Sequence, residues 1–198
     1  MKPNFISENH IERALVQKLQ HLHGFESLEC HTTDQADLYD GSGRTNKRDV
    51  ILLDRVRTVA VRLNPDLPAK AIKEALERLM DRRLALSLVV ANEEVYHLLR
   101  DGIPVEFDDA QGQRQQKRVR VIDFTDTTKN DYLAVTQLWI QGSKGCRRPD
   151  LLLHVNGLPL VFIELKNSNV SLRMDMMWSL TSRTRSIRCS SSLSAPCG

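Results

Sequence analysis

Residues 147–167 read Arg-Arg-Pro-Asp-Leu-Leu-Leu-His-Val-Asn-Gly-Leu-Pro-Leu-Val-Phe-Ile-Glu-Leu-Lys-Asn. Two short apolar runs flank Asn156-Gly157. Asn-Gly between such runs is the strongest short-range hairpin signal, because both residues tolerate positive φ. Asp150 opens the first strand, and Glu164 and Lys166 close the second. Two acids and an amine therefore collect at one end of an otherwise apolar ribbon. Burying such charges unpaired is costly, so their presence calls for a partner.

The hairpin geometry makes a demand. Side chains alternate along a strand, which puts Glu164 and Lys166 on one face and Leu165 on the other. A strict two-residue turn at Asn156-Gly157 would set Asp150 against Ile163, facing away from Glu164. A three-residue loop, or a bulge, sets Asp150 opposite Glu164 instead. One of these two is expected. Pro159 suits the start of the second strand, since it has no N–H to donate. On this register Leu151, Leu153, Val155, Val161, Ile163 and Leu165 form the other face, packed on helices.

Carboxylates on adjacent strands suit Mg²⁺, which takes hard oxygen ligands and keeps several waters. Such a metal activates water and polarises a phosphoryl oxygen. Lys166 is placed to orient the attacking water and to stabilise charge at phosphorus. The residues thus outline a phosphodiesterase site with Asp150 and Glu164 as metal ligands. The plainer reading is a hairpin whose Glu and Lys end a strand in solvent. For an isolated Asp…Glu-x-Lys the plainer reading wins. Here the Arg-Pro-Asp opening, the apolar runs and Asn-Gly tilt the balance toward a site.

Pro149-Asp150…Glu164-Leu165-Lys166 resembles the PD-(D/E)xK nuclease signature. The fuller text RRPDLLLHVNGLPLVFIELKN resembles the R (HsdR) subunit of type I restriction endonucleases. RLNPDLP (62–68), YHLLRDGIPVEF (96–107), VRVIDF (119–124) and NDYLAVTQLWIQG (130–142) agree with it. The resemblance covers roughly residues 1–172. It implies an α/β, restriction-endonuclease-like core, a central mixed sheet flanked by helices. It further implies Mg²⁺-dependent cutting of double-stranded DNA by Asp150, Glu164 and Lys166. An acid on the first helix often joins such sites, and Glu12 or Glu8 could fill that role. Specificity and methyltransferase subunits are the implied partners, and ATP use belongs to a motor farther along the full-length subunit.

The rest of the chain supplies scaffold. With 198 residues it suits one domain with a proper core. The formal net charge of +3 sits in the last segment, where Arg173, Arg183, Arg185 and Arg188 outnumber Asp175. The body is neutral overall, so charge alone does not point to DNA. Cys30, Cys146, Cys189 and Cys197 lack zinc-ligand spacing. No apolar run reaches membrane-spanning length and no apolar leader follows Met1, so a cytoplasmic protein is expected.

Residues 9–23 read as an amphipathic helix, capped by Ser7 or Asn9 and stopped by Gly24. Residues 31–46 read as a polar loop; the glycines at 41 and 43 do not have phosphate-loop spacing. Helices are expected from Asp49 to Leu63, from Pro68 to about Arg83, and from an Asn92 cap to Arg100. Periodicity then switches to two: Ile103, Val105 and Phe107 alternate with polar residues, and Val119, Val121 and Phe124 follow a polar turn, which reads as an antiparallel hairpin. Leu133 to Ile140 reads as a strand with Gln137 and Trp139 on one face. Trp139 suits the core better than a base-stacking platform. Lys144, Arg147 and Arg148 form a basic loop beside Asp150, in reach of DNA phosphates or simply solvated.

After Ser171 the text changes. Residues 173–198 cluster serine and arginine without a period, and the Gln-x-x-x-Tyr helix of the resembled family is missing. An out-of-frame ending or a disordered polar tail is expected there, leaving the nuclease core incomplete at its C-terminal side and its sheet partly uncovered.

Overall fold

The computed structural model describes residues 7–81, 83, 85–109, 111–142 and 145–166. Helix α1 (Glu8–His23) begins where the Ser7 side chain accepts the His10 N–H. It ends at Gly24, whose φ of 67° lets the next amides turn back to Gln20 and Leu19. Strand β1 (Glu26–Glu29) follows at once. Its Glu-Ser-Leu-Glu text has one apolar residue, too little for a strand pattern to register.

Residues 30–52 carry no helix or strand, so the expected loop runs past 46 and the next helix starts at Leu53, not Asp49; the loop is nevertheless well tied. Asp40 is buried and receives Arg44 Nη2 at 2.6 Å and the Ser42 N–H at 3.0 Å, as well as the Ser42 hydroxyl. Burial works against the Asp40 charge, but these hydrogen bonds win and hold its pKa below the usual carboxylate range. Cys30 beneath the loop is buried, which, with the Asp40 charge, pushes its thiol up to about 12 and leaves it unreactive.

Three helices follow: α2 (Leu53–Leu63), α3 (Ala69–Met80) and α4 (Leu88–Asp101). Asn64 ends α2 and is buried because its side chain bonds the Ala60 and Arg120 carbonyls and the Arg120 N–H. The cap of α4 is Ser87, not Asn92: the Ser87 hydroxyl accepts the Val90 N–H. The helix thus starts at Leu88, about one turn before Asn92.

The expected hairpin forms from β2 (Ile103–Asp108) and β3 (Arg114–Val119), with Ile103 opposite Val119. Helices α2 to α4 cover it: Val56, Ala60, Ile72, Leu76 and Leu98 share one buried cluster with Ile103, Val105, Val119 and Val121. Phe124 does not join them and is 61% exposed, because the chain has left the strand before reaching it.

The central sheet is mixed, in the order β1, β4 (Tyr132–Thr136), β7 (Leu151–Val155) and β8 (Leu158–Ile163). β1 runs parallel to β4, and the other pairs are antiparallel. Between β4 and β7 lies a small ribbon of β5 (Ile140–Gly142) and β6 (Gly145–Arg147). Leu133, Val135 and Leu152 from one sheet face pack with Cys30, Leu52 and Leu138, and Phe162 lies against them. Val155 and Leu158 at the turn end reach the helical cluster. Val161, expected to pack on helices, is instead 47% exposed: among the described residues β8 is an edge strand of this sheet. Among the described residues no helix is long and apolar enough to cross a membrane.

Candidate active site

The β7–β8 hairpin sets the site. Asn156 (φ 55°) and Gly157 (φ 82°) make a two-residue turn, with Val155 paired to Leu158. Asn156 is buried and bolts this turn to the rest of the fold. Its Nδ2 donates to the Val121 carbonyl and Asn130 Oδ1, and its Oδ1 accepts the Asp131 N–H. Beyond the turn, His154 pairs with Pro159 while Leu153 pairs with Val161, leaving Leu160 as an extra residue. That bulge, not a three-residue loop, shifts the register. Leu151 then opposes Ile163; continued by one position, that register sets Asp150 opposite Glu164, on the side of Leu152 and Phe162.

Asp150 is held at two points. Its main-chain carbonyl accepts the Gln137 N–H at 3.3 Å. Its Oδ2 accepts the Leu165 N–H at 2.7 Å. The carboxylate so extends the pairing past Ile163, where β8 ends. This uses one of the roughly four lone-pair positions of a carboxylate, so capacity for a cation remains. Lys166 follows, exposed to solvent.

Of the first-helix acids, Glu12 is tied to this end of the sheet by a hydrogen bond. Its Oε2 accepts Gln137 Nε2 at 2.6 Å, across the gap between α1 and the end of β4. Burial pushes the Glu12 carboxyl above its usual range; the Gln137 hydrogen bond pulls it back, and the charges of Asp150 and Glu29 raise it further. Glu12 and Asp150 therefore feel one another. Glu8 starts the same helix, one turn earlier.

Strand alternation over Leu133 to Ile140 predicts Gln137 inside the strand, on one face with Trp139. Instead β4 stops at Thr136, and Gln137 adopts φ 57°. This left-handed backbone costs a non-glycine residue about 1–2 kcal/mol. It breaks the alternation and separates Gln137 from Trp139. Nothing in a run such as Ala-Val-Thr-Gln-Leu-Trp announces such a turn.

On the basic loop, Arg147 pairs with Ile140 and is exposed. The Arg148 guanidinium lies 5.0 Å from the Trp139 ring centroid, a cation–π stack two residues before Asp150. Trp139 is therefore neither fully core nor an open stacking platform, but a support for an arginine. Lys144 lies outside the described residues, as does the segment 173–198. Among the described residues no group of three or more His, Cys, Asp or Glu is gathered so as to hold a metal ion.

The family profile described as type I restriction enzyme R protein N terminus matches residues 5–176. The chain is 35% identical over 164 residues to the type I restriction enzyme HindI endonuclease subunit of Haemophilus influenzae, covering 82% of this chain and 15% of that protein. It is 26% identical over 160 residues to the putative type I restriction enzyme MjaIXP endonuclease subunit of Methanocaldococcus jannaschii, covering 79% of this chain and 15% of that one. It thus spans about 15% of the length of these relatives. On the profile match and the HindI identity together, the chain belongs to the N-terminal family of type I restriction enzyme R proteins.

Proposed function

We propose that residues 1–172 are the nuclease domain of a type I restriction R subunit and that it hydrolyses phosphodiesters of double-stranded DNA with Mg²⁺. The observation that carries this reading is the bulge at Leu160, whose register, continued one position past Leu151–Ile163, sets Asp150 opposite Glu164. The donor set suits a hard cation, which takes one or two carboxylates and keeps waters. Repulsion between Glu12 and Asp150 points the same way, since a cation relieves it. Asp150 and Glu164 would hold Mg²⁺, which when bound supplies Lewis acidity toward the phosphate and the attacking water.

The protein's own groups do the rest. Asp150, pinned through its carbonyl and its Oδ2, cannot swing away from the site. The Lys166 ammonium stabilises negative charge as water adds to phosphorus and one P–O ester bond breaks. Glu12 adds negative charge from α1 in the field of Asp150. Arg148, stiffened by its stack on Trp139, contacts DNA phosphates together with Arg147 and Lys144. Target choice comes from specificity and methyltransferase subunits, and ATP is used by the longer R subunit of which this is one part.

A second reading has one observation in its favour: no three-acid group is gathered among the described residues. On it the chain docks on partner subunits and does not cut. Nicking of supercoiled plasmid by the purified 198-residue chain, with and without Mg²⁺, separates the two. The nuclease reading expects Mg²⁺-dependent nicking that Asp150→Ala and Lys166→Ala abolish. No nicking by the unaltered chain favours the docking reading, and nicking that survives both substitutions removes these residues from the chemistry.

A further inference from the structure

We infer that Gln137 is a positioning residue of this site, tying the Glu12 carboxylate on α1 to the strand end that carries Asp150; the inference rests on the nuclease reading above. One residue touches both acid positions, with different groups. Its main-chain N–H donates to the Asp150 carbonyl at 3.3 Å, and its side-chain Nε2 donates to Glu12 Oε2 at 2.6 Å. Glu12 and Gln137 are far apart in sequence, so this contact fixes the helix acid against the sheet.

The backbone supports the assignment. Among the described residues the non-glycine positions with positive φ are Gln137 and Asn156. Asn156 is accounted for by the hairpin turn and by the local hydrogen bonding that makes asparagine tolerant of this region. Glutamine has no such excuse. A residue held in a sparsely populated conformation persists only where its surroundings require it, and such residues gather at functional sites. Here the turn lifts the side chain out of the strand's alternation and sends its amide toward α1. A neutral donor also suits the place. Glu12 lies in the field of Asp150 and Glu29, and a carboxylate repelled by two others drifts off unless something holds it.

A purely structural Gln137 and a positioning one make opposite predictions for Gln137→Gly. Glycine fits φ 57° without strain but removes the amide. The experiment uses the 198-residue chain and three readouts: Mn²⁺ affinity by electron paramagnetic resonance, plasmid nicking with Mg²⁺, and the melting temperature. For Gln137→Gly an unchanged or higher melting temperature is expected, with nicking and Mn²⁺ affinity each lower by about 10-fold or more, as for partners that orient metal-binding carboxylates. Gln137→Asn, which tolerates the same backbone but is one methylene too short to reach Glu12, should match it. In a Glu12→Ala background Gln137→Gly should add nothing, since its role runs through Glu12. Values for Gln137→Gly within about twofold of wild type, or a further loss in the Glu12→Ala background, would overturn the assignment while leaving the nuclease reading intact. A wild-type chain that neither binds Mn²⁺ nor nicks DNA overturns both.

Discussion

Replacing Asp150 by asparagine keeps an oxygen where Oδ2 accepts the Leu165 N–H, and removes the charge. Replacing it by alanine removes both. The pair therefore separates the structural use of this side chain from the proposed chemical one. Asp150→Asn should leave unfolding free energy within about 0.5 kcal/mol of wild type. Asp150→Ala should cost about 1 kcal/mol, the net worth of a hydrogen bond left unmade. Both should abolish Mg²⁺-dependent nicking. Urea denaturation beside the plasmid assay checks the two effects together; activity retained by Asp150→Asn would mean that the charge is not needed.

His154, four residues on from Asp150 and within β7, makes a different statement. It is fully buried, with Nε2 3.1 Å from the Val50 carbonyl oxygen, so that nitrogen carries the proton of a neutral ring. Burial lowers its pKa below the ordinary histidine value of about 6.5. In the unfolded chain it takes up a proton at about that value, so below it the unfolded state holds more protons than the folded one. Stability should fall as pH drops from about 6.5 toward the lower folded pKa, and be fully present above about 6.5. His154→Gln, which can still donate to Val50, should flatten that slope between about pH 7.5 and 5.5. Melting temperatures across this range decide it.

At the scale of elements, the β7–β8 hairpin depends on how closely its turn approaches α2. Gly157 has φ 82°, and a Cβ there would lie 2.5 Å from the Leu52 carbonyl oxygen and 3.0 Å from Arg55 Cβ. The Gly157 carbonyl in turn accepts the Leu52 N–H at 2.9 Å. Backbone meets backbone, and neither can step aside. Gly157→Ala should therefore destabilise by at least about 2 kcal/mol, combining the left-handed backbone cost with overpacking. Chemical denaturation measures it; a cost under half of that would show that the turn relaxes.

This hairpin was the most legible part of the chain. Asn-Gly between apolar runs fixes the turn, and the demand that Asp150 face Glu164 calls for an extra residue, which Leu160 supplies. Helices α1 to α3 were legible from apolar spacing and their stops at Gly24 and Asn64-Pro65. What stayed hidden depends on partners distant in sequence. β1 has almost no apolar pattern and is a strand because β4 pairs with it. Gln137 ends β4 through a backbone state that no local residue preference favours. The Glu12–Gln137 contact joins positions on separate elements, so spacing could not reveal it.

Across the whole molecule, the sheet is closed unevenly. The face with Leu133, Val135 and Leu152 is sealed by residues of the loop before α2, while among the described residues β8 lies at the sheet's edge with Leu160 45% and Val161 47% exposed. Apolar side chains beside unpaired strand groups form a template for pairing with another chain. The neutral body supplies little repulsion to oppose it. Val161 pairs with Leu153, on the face away from Asp150 and Glu164, so a charge placed there guards the edge without entering the site. Val161→Lys should reduce self-association in analytical ultracentrifugation at fixed protein concentration and leave nicking unchanged. Because the side chain is half exposed, its melting behaviour should correspond to within about 0.5 kcal/mol of wild type. A cost of about 2 kcal/mol or more would instead place Val161 in a buried core, as the alternating pattern first suggested. Unchanged self-association with unchanged stability would move the sticky surface elsewhere, with the exposed Val89 and Tyr96 of α4 the next surface to charge.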